Sequence, residues 1–269
     1  MTLIAQLTDL HVMAGGALAY GRVDTLARLR AAVDHLNGLD PAPDAVIVTG
    51  DLVDLGTPEE YDVVRPELDR LAAPYLPIPG NHDGDAFWTA FADRMTDPVP
   101  HVGHVATVGG VGIVLLDTRV PGAARGLVDE RRAAWLEDVL AGDGPTLLAM
   151  HHPPIRTGIA HMDRIGLDGA DRLAEVIRAA PPLAIPCGHI HRTIHGTLAG
   201  VPVVVAPSPA HAVTLDLAPD GPASFRMEPP GMLLHDVRGH ELVTHLSPIG
   251  GFPGPFPFEG FDPGPNDRA

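Results

Sequence analysis

Five short apolar runs in the first 190 residues each end abruptly on a polar cluster, and this repeated join constrains the chain more than any other feature. Leu7 is followed by Thr8-Asp9-Leu10-His11, and the run AVIVT opens onto Gly50-Asp51. YLPIP leads into Gly80-Asn81-His82-Asp83, TLLAM into His151-His152-Pro153-Pro154, and LAIPC into Gly188-His189-Ile190-His191. Runs this short and apolar, bounded by turn residues, read as buried strands. The expected strands are Leu3–Leu7, Ala45–Thr49, Tyr75–Ile78, Val111–Leu116, Thr146–Met150 and Leu183–Pro186. Amphipathic stretches separate them at Asp24–Leu36, Pro58–Leu71, Asp85–Arg94, Glu130–Leu140 and Gly169–Ala179, with Asp24 and Thr57 at N-cap positions. Strands alternating with helices give βαβ units, and residues just past the carboxyl ends of their strands converge on one rim. One rim therefore receives Asp9, His11, Asp51, Asn81, His151, His189 and His191.

After residue 190 the rhythm changes to short runs separated by Gly, Pro and Asp: Thr193–Leu198, Val201–Ala206, Ala212–Leu217, Ser224–Met227, Met232–Val237 and Glu241–Leu246. These predict antiparallel hairpins that complete a second sheet. Residues 1–247 then form one domain, and Pro248–Ala269 is a tail in which glycine and proline fill half the positions. Four of the chain's seven phenylalanines, Phe252, Phe256, Phe258 and Phe261, lie in that tail and suit docking on the domain or on a neighbouring subunit.

Oxygen and imidazole donors together suit Mn, Fe, Zn or Co, and a single cysteine leaves no thiolate cage. Seven donors exceed the needs of one ion and match two ions sharing a carboxylate, a pair suited to in-line displacement at phosphorus. A formal charge of −16 excludes non-specific binding to nucleic-acid polymers or anionic membranes, and two divalent ions would still leave the site cationic for an anionic phosphoester. The chain has no lysine, which removes a lysine nucleophile and a P-loop. No window of ~18 apolar residues exists to cross a membrane. The N-terminus lacks a signal-peptide pattern and the lone cysteine suits a reducing compartment, so a cytoplasmic location is expected.

The ordered set D-x-H, G-D, G-N-H-D, H and G-H-x-H resembles the calcineurin-like metallophosphoesterases over residues 3 to about 211. Asp9-Leu10-His11, the HHPP block and the length are most similar to bacterial glycerophosphodiesterases and class III cyclic nucleotide phosphodiesterases. The resemblance implies a four-layer α/β/β/α sandwich with C-terminal antiparallel hairpins. It also implies that Asp9, His11, Asp51 and His191 hold one divalent or mixed-valence metal ion and that Asp51, Asn81, His151 and His189 hold the other. A metal-bound hydroxide would attack phosphorus, with Asn81 and His82 catalytic and His82 on the phosphate and leaving oxygen. The implied substrate is a small phosphodiester, and relatives suggest a homodimer or higher homo-oligomer. Leu55 stands where the Ser/Thr phosphatases of this superfamily carry a phosphate-gripping arginine, which favours a diester monoanion over a monoester. A monoesterase, or a scaffold without turnover, are the competing readings.

Other residues are assigned by position. His211 and His161 are candidate substrate contacts, with Asp163 and Arg164 on the same loop. The loops 13–22, 119–128 and 155–168 are expected to shape the pocket. His152 should point away from His151. Asp83 should orient His82 or cap the helix near residue 85, and Asp54 should be a turn residue or an acceptor behind the site. Arg28/Arg30 and Arg131/Arg132 are expected on solvated helix faces, Cys187 is a buried apolar residue, and Gly15-Gly16 and Gly109-Gly110 are turns.

Overall fold

The structure, a computed structural model, describes residues 1–96 and 98–257. Its first sheet places β1 (Thr2–Leu7) at the centre, with β2 (Ala45–Thr49) and β3 (Tyr75–Ile78) added in parallel on one side. On the other side β1 pairs antiparallel with β14 (Gly231–Arg238), which turns back into the edge strand β15 (Glu241–Pro248). The last hairpin thus extends the first sheet, contrary to the expectation that it completes the second. Parallel β1–β2 pairing leaves the free edge of β1 open, and β14 closes it with alternating Leu233, His235 and Val237 facing inward.

The second sheet begins with the hairpin of β4 (Gly103–Val108) and β5 (Val111–Leu116) around Gly109-Gly110, both at positive φ. β4 escaped sequence reading because its residues past Val105 are partly exposed and carry no clean alternation. β7 (Thr146–Met150) lies parallel to β5 and is bridged through Ala184 towards β9 (Ile185–Cys187). β11 (Val201–Val205) and β10 (Ile194–Leu198) then follow β9. Two-residue pairs, β6 (Gly126–Leu127) with β8 (Leu167–Asp168) and β12 (Ala212–Val213) with β13 (Phe225–Arg226), fasten the loops at the rim. The expected strand Ala212–Leu217 shrinks to β12 because its later residues include exposed Leu215 and Leu217.

Alternation along each strand sorts the core into layers. Ile4, Ile47, Ile113, Leu115, Leu147 and Val237 meet between the sheets. Ala5, Leu7, Val46 and Val48 point to the other face of the first sheet, under α1 (Thr25–Asn37), α2 (Pro58–Leu68) and α3 (Ala86–Ala90). Val114, Leu116, Leu148 and Met150 pack under α4 (Glu130–Val139) and α5 (Ala170–Ala179). Each buried aliphatic side chain contributes ~1.5–3 kcal/mol. The result is the expected α/β/β/α sandwich. Asp24 caps α1 by accepting the Ala27 N–H at 2.9 Å.

One polar thread crosses the apolar layer between the sheets. The Gln6 amide donates to Thr49 Oγ1 and to the Cys187 carbonyl, each at 2.9 Å, and accepts from His235 Nε2 at 3.0 Å. The hydroxyl of Thr244 lies 2.9 Å from His235 Nδ1 and completes the thread. Thr49 and Cys187 immediately precede Gly50 and Gly188, so this buried amide ties the two sheets directly beneath the rim.

Arg132 departs from the solvated helix face expected for it: it is buried and donates to the carbonyls of Asp117 and Arg119. Among the tail phenylalanines, Phe252 and Phe256 are exposed and not docked on the domain, while Phe258 and Phe261 lie outside the described residues. No described helix is long and apolar enough to cross a membrane.

Candidate metal centre

Three of the five strand exits deliver their polar residues through unusual backbone. Asp9, His11, Asp51, His189 and His191 adopt φ of 54°, 47°, 52°, 71° and 54°. Left-handed conformations cost non-glycine residues ~1–3 kcal/mol each and persist only where the surroundings fix them. Here the turns interlock: Asp9 N donates to the Gly50 carbonyl and His11 N to the Asp51 carbonyl, both at 2.9 Å. Gly50, at φ 95°, could not carry a Cβ without striking the His151 ring, and at Gly188 a Cβ would strike Thr8 and approach Asp9. Gly188 is therefore needed for close approach and not for a turn of special φ.

Each candidate histidine has one ring nitrogen committed to an acceptor. His11 Nδ1 donates to Asp54 Oδ1 at 2.9 Å, His151 Nδ1 to the Thr49 carbonyl at 2.8 Å, and His191 Nδ1 to the His211 carbonyl at 3.2 Å. His189 instead commits Nε2, to the Ile165 carbonyl at 3.1 Å. In a neutral ring these acceptors fix the tautomer and leave the opposite nitrogen as the free donor to a cation. His11 Nε2 lies 3.2 Å from His191 Nε2, and His191 Nε2 lies 3.3 Å from Asp9 Oδ1. His151 Nε2 sits 3.3 Å from both Asp51 Oδ2 and Asn81 Oδ1. Acceptors facing acceptors at such distances repel unless a cation or a trapped proton lies among them. The donor set therefore fits metal ions, as expected from the sequence.

Asp51 is the hinge of the arrangement. Its Oδ1 accepts the His82 backbone N–H at 2.8 Å, while Oδ2 faces His11 at 3.6 Å and His151 at 3.3 Å. Electrostatics mirror this geometry. Burial pushes the Asp9 carboxyl up to about 6, with the charge of His151 opposing and that of Asp51 adding. Burial pushes the Asp51 carboxyl up, but His151, His82 and His11 together outweigh it and hold Asp51 well below the usual carboxylate range, and His151 is correspondingly raised. Burial, reinforced by His151, drives His189 down to about 3.

The remaining assignments divide. Asp54 is the acceptor expected behind the site: besides holding His11, its carbonyl accepts His82 Nδ1 at 2.7 Å. Asp83 is neither a cap nor an orienter of the His82 ring. Its buried carboxylate accepts from Leu52 N, Gly80 N and the Tyr61 hydroxyl, stitching the Gly50 and Gly80 turns together, and Arg119 grips its carbonyl at 2.8 Å. His152 does not point away from the centre. Its ring lies 4.5 Å from that of His189, but Nδ1 meets Thr118 Oγ1 and Nε2 the Ala124 carbonyl, leaving neither nitrogen for a metal.

A cleft of about 420 Å³ opens over these groups. All three expected loops reach it, through Tyr20, Ala124 and His161, and His82 and His211 line it too. Asp163 instead ties its own loop, accepting from Thr157 N at 2.8 Å, and Arg164 is exposed. Phe225, on β13, was missed. No local signal joins it to Tyr20, some two hundred positions earlier, yet their ring centroids are 5.0 Å apart. Among the described residues no arginine lines the cleft, and Leu55 is 67% exposed.

Comparison with known proteins agrees with this geometry. Over 263 residues the chain is 39% identical to a protein of Arcobacter nitrofigilis named "Probable glycerophosphodiester phosphodiesterase", covering 95% of this chain and 96% of that one. It is 38% identical over 246 residues to a "Probable cyclic nucleotide phosphodiesterase" of Rhodopseudomonas palustris, covering 89% of each. A dimetal phosphatase from Danio rerio shares the fold at a TM-score of 0.61 and 16% identity, over 93% of this chain and 99% of that one. Residues 2–193 match the calcineurin-like phosphoesterase family, and the chain belongs to it.

Proposed function

We propose that this protein is a metal-dependent phosphodiesterase that hydrolyses small phosphodiesters, with glycerophosphodiesters and cyclic nucleotides as the leading substrates. Both classes appear in the names of its relatives. Asp9, His11, Asp51 and His191 would hold one divalent ion, and Asp51, Asn81, His151 and His189 the second. The O/N donor set suits Mn, Fe, Zn or Co. Such a pair supplies acidification of water and neutralisation of phosphoryl charge.

The chain's own groups do the rest. Asp51, pinned through Oδ1, keeps Oδ2 between the two sets of imidazoles. Asn81 turns Oδ1 toward His151, which leaves its amide N–H groups to donate to a phosphoryl oxygen. His82 donates Nδ1–H to the Asp54 carbonyl, so its Nε2 contacts the phosphate and, when the ring carries a second proton, hands that proton to the departing ester oxygen. The P–O ester bond breaks, water supplies the new P–O bond, and no covalent enzyme intermediate is needed. His161 and His211 line the cleft and contact the substrate's ester arms.

The observation that carries the diester reading is a cleft that no arginine lines among the described residues. A monoester dianion usually needs a bidentate guanidinium, whereas a diester monoanion does not. The buried free thiol of Cys187 suits a reducing cytoplasm, and exposed Leu215, Leu217, Met227, Val243 and Leu246 suit a homo-oligomer.

The test compares bis(p-nitrophenyl) phosphate with p-nitrophenyl phosphate, using metal-stripped enzyme before and after reloading with Mn²⁺. Diester turnover that requires metal and exceeds monoester turnover is the expected result. A monoester preference would replace this reading with a phosphatase, and turnover of neither with two ions bound would overturn the small-diester reading and leave an exacting substrate or a scaffold.

A further inference from the structure

The cleft has two unlike walls, each beside one half of the donor set. Tyr20, His211 and Phe225 flank the first half: the His211 ring lies 4.5 Å from His191 and 5.6 Å from His11. Met162 and Ile165 flank the second, where the Ile165 carbonyl holds His189. A phosphoryl group seated over Asp51 would therefore direct one ester arm to an aromatic wall and the other to an aliphatic one.

The aromatic wall is built as a partial stack. Tyr20 and Phe225 lie tilted by 32° with centroids 5.0 Å apart, and His211 meets Tyr20 edge-on at 82° and 5.3 Å. Tyr20 nevertheless remains 54% exposed, at a φ of 51° that only a fixed loop sustains. An aromatic ring backed on one side and open on the other is a platform for one more planar group. The chain has no lysine, and among the described residues no arginine lines the cleft to select an anionic or strongly hydrated arm.

We propose that Tyr20, backed by Phe225, is the specificity-determining platform for a nucleobase, so that nucleoside phosphodiesters are the preferred substrates of this centre. This rests on the phosphodiesterase reading above and selects among its substrates. A glycerol arm has no π face to match Tyr20. A quaternary ammonium arm would gain from aromatic faces on several sides, whereas Tyr20 and Phe225 face each other and leave one open. A base needs one face and gains from stacking on it.

The test measures kcat and KM of the Mn²⁺-loaded enzyme for adenosine 3′,5′-cyclic phosphate, glycerophosphoethanolamine and glycerophosphocholine, in wild type, Tyr20→Ala, Tyr20→Phe and Phe225→Leu. Tyr20→Ala is expected to raise KM for the cyclic nucleotide roughly tenfold or more, a clearly larger loss than on either glycerophosphodiester, whose arms meet the same wall without stacking on it. Tyr20→Phe should retain wild-type behaviour, and Phe225→Leu should fall between. Inhibition by adenosine 5′-monophosphate should weaken in parallel in Tyr20→Ala, and inhibition by glycerol 3-phosphate should not. Equal losses on all three diesters, or a loss confined to glycerophosphocholine, would overturn the base platform. So would unchanged constants in Tyr20→Ala. Failure of the underlying reading looks different: the wild type would then show no metal-dependent turnover of any diester.

Discussion

The two halves of the candidate centre are built from different materials. Asp9, His11, Asp51 and His191 are all buried, bring two carboxylates, and include a histidine oriented by a third, Asp54. The half formed by Asn81, His151 and His189 shares Asp51 but adds a neutral amide that is only half-buried, and its histidines are oriented by carbonyls alone. Charge and burial both favour a divalent ion in the first half. A carboxylate partner also makes an imidazole a stronger donor than a carbonyl does. The difference teaches that equal numbers of ligands do not make equal sites, and that the two ions should load in order.

Substitution at the weaker half breaks this comparison most sharply. Asn81→Ala is expected to bind one equivalent of Mn²⁺ in place of two and to lose activity by roughly a thousandfold, while Asp9→Ala should impair loading of both ions. Metal content after gel filtration, read alongside turnover, distinguishes them. Two ions retained by Asn81→Ala would show that the halves are equivalent after all.

Asp54 offers a finer probe. Asp54→Ala removes the carboxylate behind His11 and should weaken the first half by roughly ten- to hundredfold in metal affinity, narrowing the gap between halves. Competition with a chelator measures it. An unchanged first-site affinity would mean that burial, not orientation, makes the half strong.

The smallest expected effect on the centre comes from the thread beneath both halves. His235 is buried, and burial drives its pKa down to about 4 from 6.5. The unfolded chain takes up that proton below about pH 6.5 and the folded protein only near pH 4, so unfolding binds more protons in between. Its contribution to stability is complete above pH 6.5 and is lost as pH falls toward 4, by something on the order of 3 kcal/mol. His235→Gln should flatten that part of the profile relative to wild type, with both halves of the centre equally affected. Urea unfolding of the two proteins at pH 4.5 and 7.5 gives the difference. Parallel profiles would show that His235 is not a proton-linked weak point.

Much of this was legible in the chain. Asp9, His11, Asp51, Asn81, His151, His189 and His191 were readable because each follows an apolar strand, and strand exits converge whatever the details of the loops. Strands β2, β3, β5 and β7 begin and end where the apolar runs do. The partners that hold these residues were less legible. Asp83 looks like a helix cap in sequence, but its carboxylate is buried and joins backbone N–H groups of its own turn to those of a distant one. His152 sits where alternation would send it outward, yet the rim folds it back against His189. The final hairpin reads equally well beside either sheet, and only the open edge of β1 chose.

What the sequence determined by itself was the alternation of strands and helices and the chemistry of their exits, because both depend on residues close together along the chain. Tertiary structure alone decided which nitrogen of each histidine is free, which oxygen of Asp51 faces both halves, and that Tyr20 and Phe225 share one wall. Those outcomes depend on acceptors and neighbours brought from afar by burial between two sheets, and no local pattern of residues encodes where such neighbours will stand.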